Sequence, residues 1–129
     1  MPRKTHQQLS RRERQIMDIL YEKKQAPAAE VREAMADAPS YSAVRALLRI
    51  LVAKGHLSHT KDGARYVYRP TKPRRSAARE AMGRVLRTFY EGSTVDAVTA
   101  LMDLSSKNMT EEDLQRLSAL IDEAKNEGR

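Results

Sequence analysis

The 129 residues predict a mainly α fold with one small β-hairpin, arranged as two helical modules in tandem. Three observations carry that prediction. Apolar residues recur at helical spacing through most of the chain, and Pro39, Gly55 and Gly92 interrupt the pattern. One stretch, His56 to Arg69, turns instead to strand-favouring residues around Asp62-Gly63. Charge is also divided: residues 1–75 hold 17 Lys and Arg against 7 Asp and Glu, whereas residues 76–129 hold 7 against 10. A chain of this length supports one ordinary domain, or a small domain with an appendage.

Met1 to Gln8 is short, polar and basic, and is expected to fray. Ser10-Arg-Arg-Glu13 reads as a capping box, in which the serine caps forward and the glutamate reaches back to the cap's own N–H. It opens a first helix to about Lys24, burying Ile16, Ile19 and Leu20, with Leu9 just before it. Pro27 suits the first position of a shorter second helix that turns Ala28, Val31 and Met35 inward. Asp37-Ala-Pro39 stops that helix, because proline disfavours a helical residue before it.

Ser40 then caps a third helix that ends at Gly55, where glycine takes the left-handed closing conformation at no steric cost. Val44, Leu47, Leu48 and Leu51 form its apolar stripe. Ser42, Arg45 and Arg49 lie together on the opposite face. Small polar residues let a backbone approach a DNA groove closely, and arginine forks match guanine edges and phosphates. Taken alone, the same face also fits an ordinary surface helix with two solvated arginines.

The hairpin decides between these readings. His56-Leu-Ser-His-Thr60 and Arg65-Tyr-Val-Tyr-Arg69 flank Asp62-Gly63, where glycine supplies the positive φ that a tight turn requires. Helix, short helix, arginine-faced helix and basic hairpin, in that order, make a winged helix-turn-helix. Tyr66 and Tyr68 alternate onto one face and are expected in the core.

Pro70-Thr-Lys-Pro73 marks the junction, placing a DNA-binding domain at 1–72 and a helical domain at 73–129. A fourth helix runs from about Arg74 to Tyr90, with Ala78, Met82, Val85, Leu86 and Phe89 on one side. Ser93-Thr-Val-Asp96 caps a fifth, which carries Val98, Leu101 and Met102, and a polar loop runs on through Asn108. Thr110-Glu-Glu-Asp113 caps the last, striped by Leu114, Leu117, Leu120, Ile121 and Ala124, with early acids suited to the positive end of the helix dipole. These three helices carry more apolar stripe than one monomer easily covers. Two copies interlocking is the economical explanation, and packing back on the basic half as a monomer is the alternative.

Composition narrows the function further. There is no cysteine, so disulfides, thiolate metal sites and cysteine nucleophiles are out, and an intracellular, cytoplasmic protein is the simplest fit. No apolar run approaches bilayer-spanning length, and no membrane partner is expected. His56 and His59 point to opposite faces of a strand and so cannot chelate together; no metal and no cofactor are expected. No Ser/His/Asp grouping, phosphate loop or zinc-protease motif appears, which argues against an enzyme.

Leu-Ser-x-x-Glu-x-x-Ile-Met-x-Ile-Leu at 9–20, Ser-Tyr-Ser-Ala-Val-Arg-Ala-Leu-Leu-x-x-Leu at 40–51, Lys54-Gly-His-Leu and Asp62-Gly-Ala-Arg-Tyr-Val-Tyr-x-Pro70 together resemble the penicillinase/methicillin-resistance repressors (BlaI/MecI type). The resemblance extends through Gly92-Ser to the final Thr-Glu-Glu-Asp-Leu helix. It implies a homodimeric winged-helix repressor on a palindromic operator, with the C-terminal three helices as the dimerisation domain. In that family a membrane sensor-protease often cuts within the dimerisation helices. The corresponding place here is near Ala100-Leu101, which lacks the Asn-Phe pair of well-known members. The copper-responsive cousins sense through a cysteine cluster, which a chain without cysteine cannot form.

On this reading Ser42, Ala43, Arg45 and Ala46 face base edges, the alanine methyls meeting thymine methyls. Arg49 meets a phosphate, and Ser40 and Tyr41 donate to phosphates at the helix start. Lys61, Arg65 and Arg69 on the hairpin grip the backbone or enter the minor groove, and Arg11 and Arg12 touch phosphates. The dimer contacts are expected from Met82, Val85, Leu86, Phe89, Val98, Leu101, Leu114, Leu117, Leu120 and Ile121. The rival classes are a nucleoid-associated or RNA-binding protein that ignores dyads, and a protein-interaction adaptor with no useful DNA affinity.

Overall fold

A computed structural model describes residues 8–128. The elements run α1 (Arg11–Lys23), β1 (Ala26–Pro27), α2 (Ala28–Ala34), α3 (Tyr41–Ala53), β2 (Leu57–Asp62), β3 (Arg65–Pro70), α4 (Arg74–Tyr90), α5 (Thr94–Ser105) and α6 (Glu111–Asn126). The chain forms two compact units, divided between Arg79 and Glu80 within α4. The frayed start expected for Met1 to Gln8 lies, up to residue 7, outside the described residues.

In the N-terminal unit, the Ser10 hydroxyl accepts from Glu13 N–H at 3.1 Å while the Glu13 carboxylate accepts from Ser10 N–H at 2.8 Å, completing the capping box. Ile16, Leu20, Val31, Val44, Leu48 and Leu51 are fully buried, so α1, α2 and α3 share one core. At about 1.5–3 kcal/mol for each buried aliphatic side chain, this cluster is the main source of the unit's stability.

The exit of α3 is fixed by a Schellman closure. Gly55 has φ +87°, its N–H donates to Val52 O at 3.0 Å, and the His56 N–H donates to Leu51 O at 2.9 Å. Glycine is the residue that adopts this φ without steric penalty. The chain therefore turns straight from α3 into β2.

β2 and β3 pair antiparallel from Leu57↔Pro70 to Asp62↔Arg65, leaving Gly63-Ala64 as a two-residue turn with Gly63 at φ +66°. A third strand joins them: Ala26↔Tyr68 and Pro27↔Val67 give the order β1-β3-β2. The sequence predicts Pro27 in the first helical turn, but it sits one position earlier, extended at φ −77°, ψ 166° as the N-cap of α2. A proline with no N–H to donate is tolerated on such an edge strand. Two residues of pairing leave no periodic signal, which is why the sequence predicts only a hairpin.

The junction segment is fastened to this unit. The Thr71 hydroxyl donates to Gly55 O at 2.7 Å, Tyr21 Oη donates to Lys72 O at 3.3 Å, and Arg74 donates to Tyr21 O at 2.6 Å.

The C-terminal unit is different in kind. Its helices are well capped: Ser93 accepts from Asp96 N–H at 3.1 Å, and Thr110 and Asp113 form a second capping box at 3.0 and 3.1 Å. Yet Ala97 is the only described residue of these helices that is buried. Leu86 is half-buried. Met82, Val85, Val98, Leu101, Leu114, Leu117, Leu120 and Ile121 are exposed, as is Phe89 at 73 %. Val95 and Leu104, at 74 % and 80 %, are more exposed still, and both lie outside the stripe predicted for α5.

Candidate nucleic-acid interface

The core fixes which face of α3 is free. With Val44, Leu48 and Leu51 buried, helical geometry turns Ser42, Arg45 and Arg49 to solvent, and all three are exposed. Ala43 and Ala46, half-buried, flank this face. The Ser40 hydroxyl caps the helix, accepting from Ala43 N–H at 3.1 Å, and lies 3.3 Å from Ser42 Oγ. Tyr41 is exposed, and the Arg45 guanidinium stands 5.9 Å from its ring centroid, a cation–π contact that steadies the arginine at the helix start. Neither Arg45 nor Arg49 pairs with a carboxylate among the described residues.

Strand register sorts the hairpin. Leu57, His59 and Lys61 stand opposite Pro70, Tyr68 and Tyr66, so these side chains share one sheet face. Leu57 and Tyr68 on it belong to the core, which turns this face toward α3. Tyr66 is 43 % exposed, so the two tyrosines expected in the core part company: Tyr68 is in it and Tyr66 is not. The other sheet face carries Arg65 and Arg69. Arg65 is paired with Asp62 at 3.5 Å in a solvent-exposed bridge, worth little and readily exchanged for a phosphate. Arg69 donates to Gln25 Oε1 at 3.2 Å and Thr60 Oγ1 at 3.3 Å. Lys61 is exposed near the hairpin tip.

Between α3 and this sheet lies a cleft of about 160 Å³, lined by Arg45, Arg49, Val52, His59, Tyr66 and Tyr68. The His59 ring meets Tyr66 edge-on at 4.7 Å and Tyr68 at 5.7 Å. Burial pushes the Tyr68 hydroxyl above its ordinary value of 10.0, and the charges of Arg45 and Arg49 pull against it. Both guanidinium groups therefore act on the cleft's interior.

Arg11 is exposed on the first turn of α1. Arg12, by contrast, turns back to the protein, donating to the backbone carbonyls of Ala36 (3.3 Å) and Asp37 and to Gln15 Oε1. Gln15 also donates to Ala36 O at 3.2 Å, and Arg32 donates to Pro39 O at 2.8 Å. Together these three side chains hold the turn that delivers the chain into α3.

One positioning pair is absent from the sequence-level reading. Lys54 Nζ lies 3.1 Å from both carboxylate oxygens of Glu13, joining the first turn of α1 to the C-cap of α3. Burial alone would raise the Glu13 pKa. The Ser10 N–H and the Lys54 ammonium outweigh it, so the carboxyl is held below its ordinary 4.5. The partners are 41 residues apart, a separation at which local pattern carries no signal.

An arginine-faced helix delivered by a helix-turn-helix and followed by a basic hairpin defines a winged-helix DNA-binding protein. The family model described as Penicillinase repressor matches residues 9–123, and the chain belongs to that family of DNA-binding transcriptional repressors. No curated protein matches the chain. Among the described residues no helix is long and apolar enough to cross a membrane, and no three His, Asp or Glu side chains gather as metal ligands.

Proposed function

We propose that the protein is a sequence-specific repressor that binds an inverted-repeat operator as a homodimer, and that a separate signal relieves repression. Residues 1–72 read DNA and residues 73–129 hold two copies together. The N-terminal half of α3 enters the major groove, with Ser42, Ala43, Arg45 and Ala46 at base edges. Arg49, Ser40, Tyr41 and Arg11 meet phosphates, and Lys61 and Arg65 carry the contact onto the backbone beside the groove.

The observation that carries this reading is a pairing of two surfaces. One is a cationic helix face that no carboxylate among the described residues neutralises. The other is a set of three helices on which Met82, Val85, Phe89, Val98, Leu101, Leu114, Leu117, Leu120 and Ile121 stand exposed, Leu86 and Met102 are half-buried and Ala97 alone of the described residues is buried. Twofold symmetry connects them, since an isologous dimer presents its two reading helices to the two halves of a dyad. Arg12, hydrogen-bonded to the α2–α3 turn, contributes by holding α3 in place beside any phosphate contact it makes.

The test is selection of bound duplexes from a random pool, followed by footprinting and sedimentation of the free protein. The expected result is an inverted repeat, its half-sites separated by about one helical turn of 10–10.5 bp or a multiple, and a species of twice the chain's mass. A lone subunit at every concentration, or equal binding to unrelated duplexes, would overturn the proposal.

A further inference from the structure

The cleft between α3 and the hairpin is cationic on one wall and aromatic on the other, and no carboxylate lines it. Asp62, the nearest acid in sequence, lies on the opposite sheet face and pairs with Arg65. Among the described residues, every titratable or charged group that faces His59 is a cation or a phenol: Arg45 and Arg49 from α3, Tyr66 and Tyr68 from β3, and Lys61 two places along its own strand. His59 itself is exposed, its ring contacts both tyrosines, and its imidazole takes part in no hydrogen bond among the described residues. Such a site has unrelieved positive potential and an oriented donor with nothing to bind.

We propose that this cleft seats one phosphate of the DNA backbone between the reading helix and the hairpin, and that His59 contacts it as imidazolium, so that DNA binding takes up protons. The inference rests on the DNA-binding reading above and adds to it a residue and a regulation. A cleft of about 160 Å³ accommodates a phosphate and a few waters. The T-shaped contact with Tyr66 holds the imidazole plane, leaving a ring nitrogen to donate.

The coupling follows from charge. A seated phosphodiester supplies the opposing charge and a hydrogen-bond acceptor, and both favour the protonated ring. Affinity therefore rises as pH falls through the range in which histidine titrates. The arginines stay charged throughout that range, so they add affinity without adding pH dependence.

The experiment measures binding at constant ionic strength, at pH 6 and pH 8, of the best duplex recovered from a random pool. The wild type and His59→Gln are compared. The wild type should bind about tenfold more tightly at pH 6 than at pH 8, while the variant's ratio falls below about twofold. In parallel, the assigned His59 ring resonances of the wild-type protein are followed at pH 7 on adding the duplex. They should move toward the imidazolium position, a readout that does not depend on how well the variant folds.

A duplex bound with the same pH dependence in both proteins, with unmoved His59 resonances, overturns the seat and leaves DNA binding standing. Absence of duplex binding at either pH overturns the functional reading and the seat together. Inorganic phosphate is the control for a free-anion site. If it saturates the His59 resonances at millimolar concentration while duplex binding stays flat with pH, the seat belongs to a free anion and its assignment to DNA is overturned.

Discussion

Two stretches of this chain share the same apolar periodicity and end in opposite states. Residues 10–55 fold their stripes onto one another until six large aliphatic side chains are fully buried. Residues 80–128 form helices just as regular, and bury a single alanine. The difference lies in the connections. In the first stretch Pro39 and Gly55 turn the chain sharply enough for α1, α2 and α3 to close on each other and on the sheet. In the second, the capped helices present leucines to solvent. A stripe thus shows that a face is to be covered, and the turns show whether the same chain covers it.

The largest expected effect tests the self-sufficient half. Leu48→Ala opens a cavity in a core with no free surface and should cost about 2–5 kcal/mol. It should appear in denaturant titration as a lower midpoint of a transition that does not depend on protein concentration. The paired change Leu117→Asp with Ile121→Asp tests the other half. It should yield monomers in sedimentation and weaken operator binding about a hundredfold, some 2.7 kcal/mol. If that variant stays dimeric, the covering surface lies elsewhere on α4 to α6, and the exposed Val95 and Leu104 are the next residues to change.

Smaller effects sharpen the contrast within the reading unit. Arg45→Ala should cost about 1–3 kcal/mol on the selected duplex and relax its sequence preference. Equal losses on selected and random duplexes would remove Arg45 from base reading and leave it at the backbone. Glu13→Gln should cost about 1–3 kcal/mol, because Lys54 loses its charge partner in a mostly buried place. The sign with pH is fixed as well. Glu13 is more acidic when folded than its ordinary 4.5, so its contribution is complete above that value. The contribution disappears as pH falls below 4.5 toward the folded-state pKa. Wild type and variant should therefore converge in stability under acid, and equal differences at pH 7 and pH 3 would refute the ion-pair account.

The parts of the fold legible in the sequence are those written in local chemistry. Ser10 with Glu13 and Thr110 with Asp113 announce helix starts because both bonds of a capping box close within three residues. Gly55 and Gly63 are legible because few other residues take a positive φ cheaply. The exposed face of α3 follows from Val44, Leu48 and Leu51 by periodicity alone. What stays hidden depends on contacts between distant residues. Glu13 reads as a capping residue, and nothing nearby shows that Lys54 shares it. Arg12 reads as a free cation, and its carbonyl acceptors lie more than twenty residues further on. The tyrosine pair reads as one face, which it is, but only Tyr68 reaches under α3.

The internal engagement of cations has a thermodynamic consequence. Residues 1–75 hold 17 Lys and Arg, yet Lys54 is paired with Glu13, and Arg12, Arg32, Arg69 and Arg74 donate to oxygens of the protein itself. Cations engaged in this way are less available to displace sodium condensed on the duplex. Since log K falls with log[salt] by about 0.9 per neutralised phosphate, the slope should reflect a handful of contacts from each subunit, not the basic composition. The protein should therefore hold its operator at ionic strengths where one using all its positive charge would already have let go.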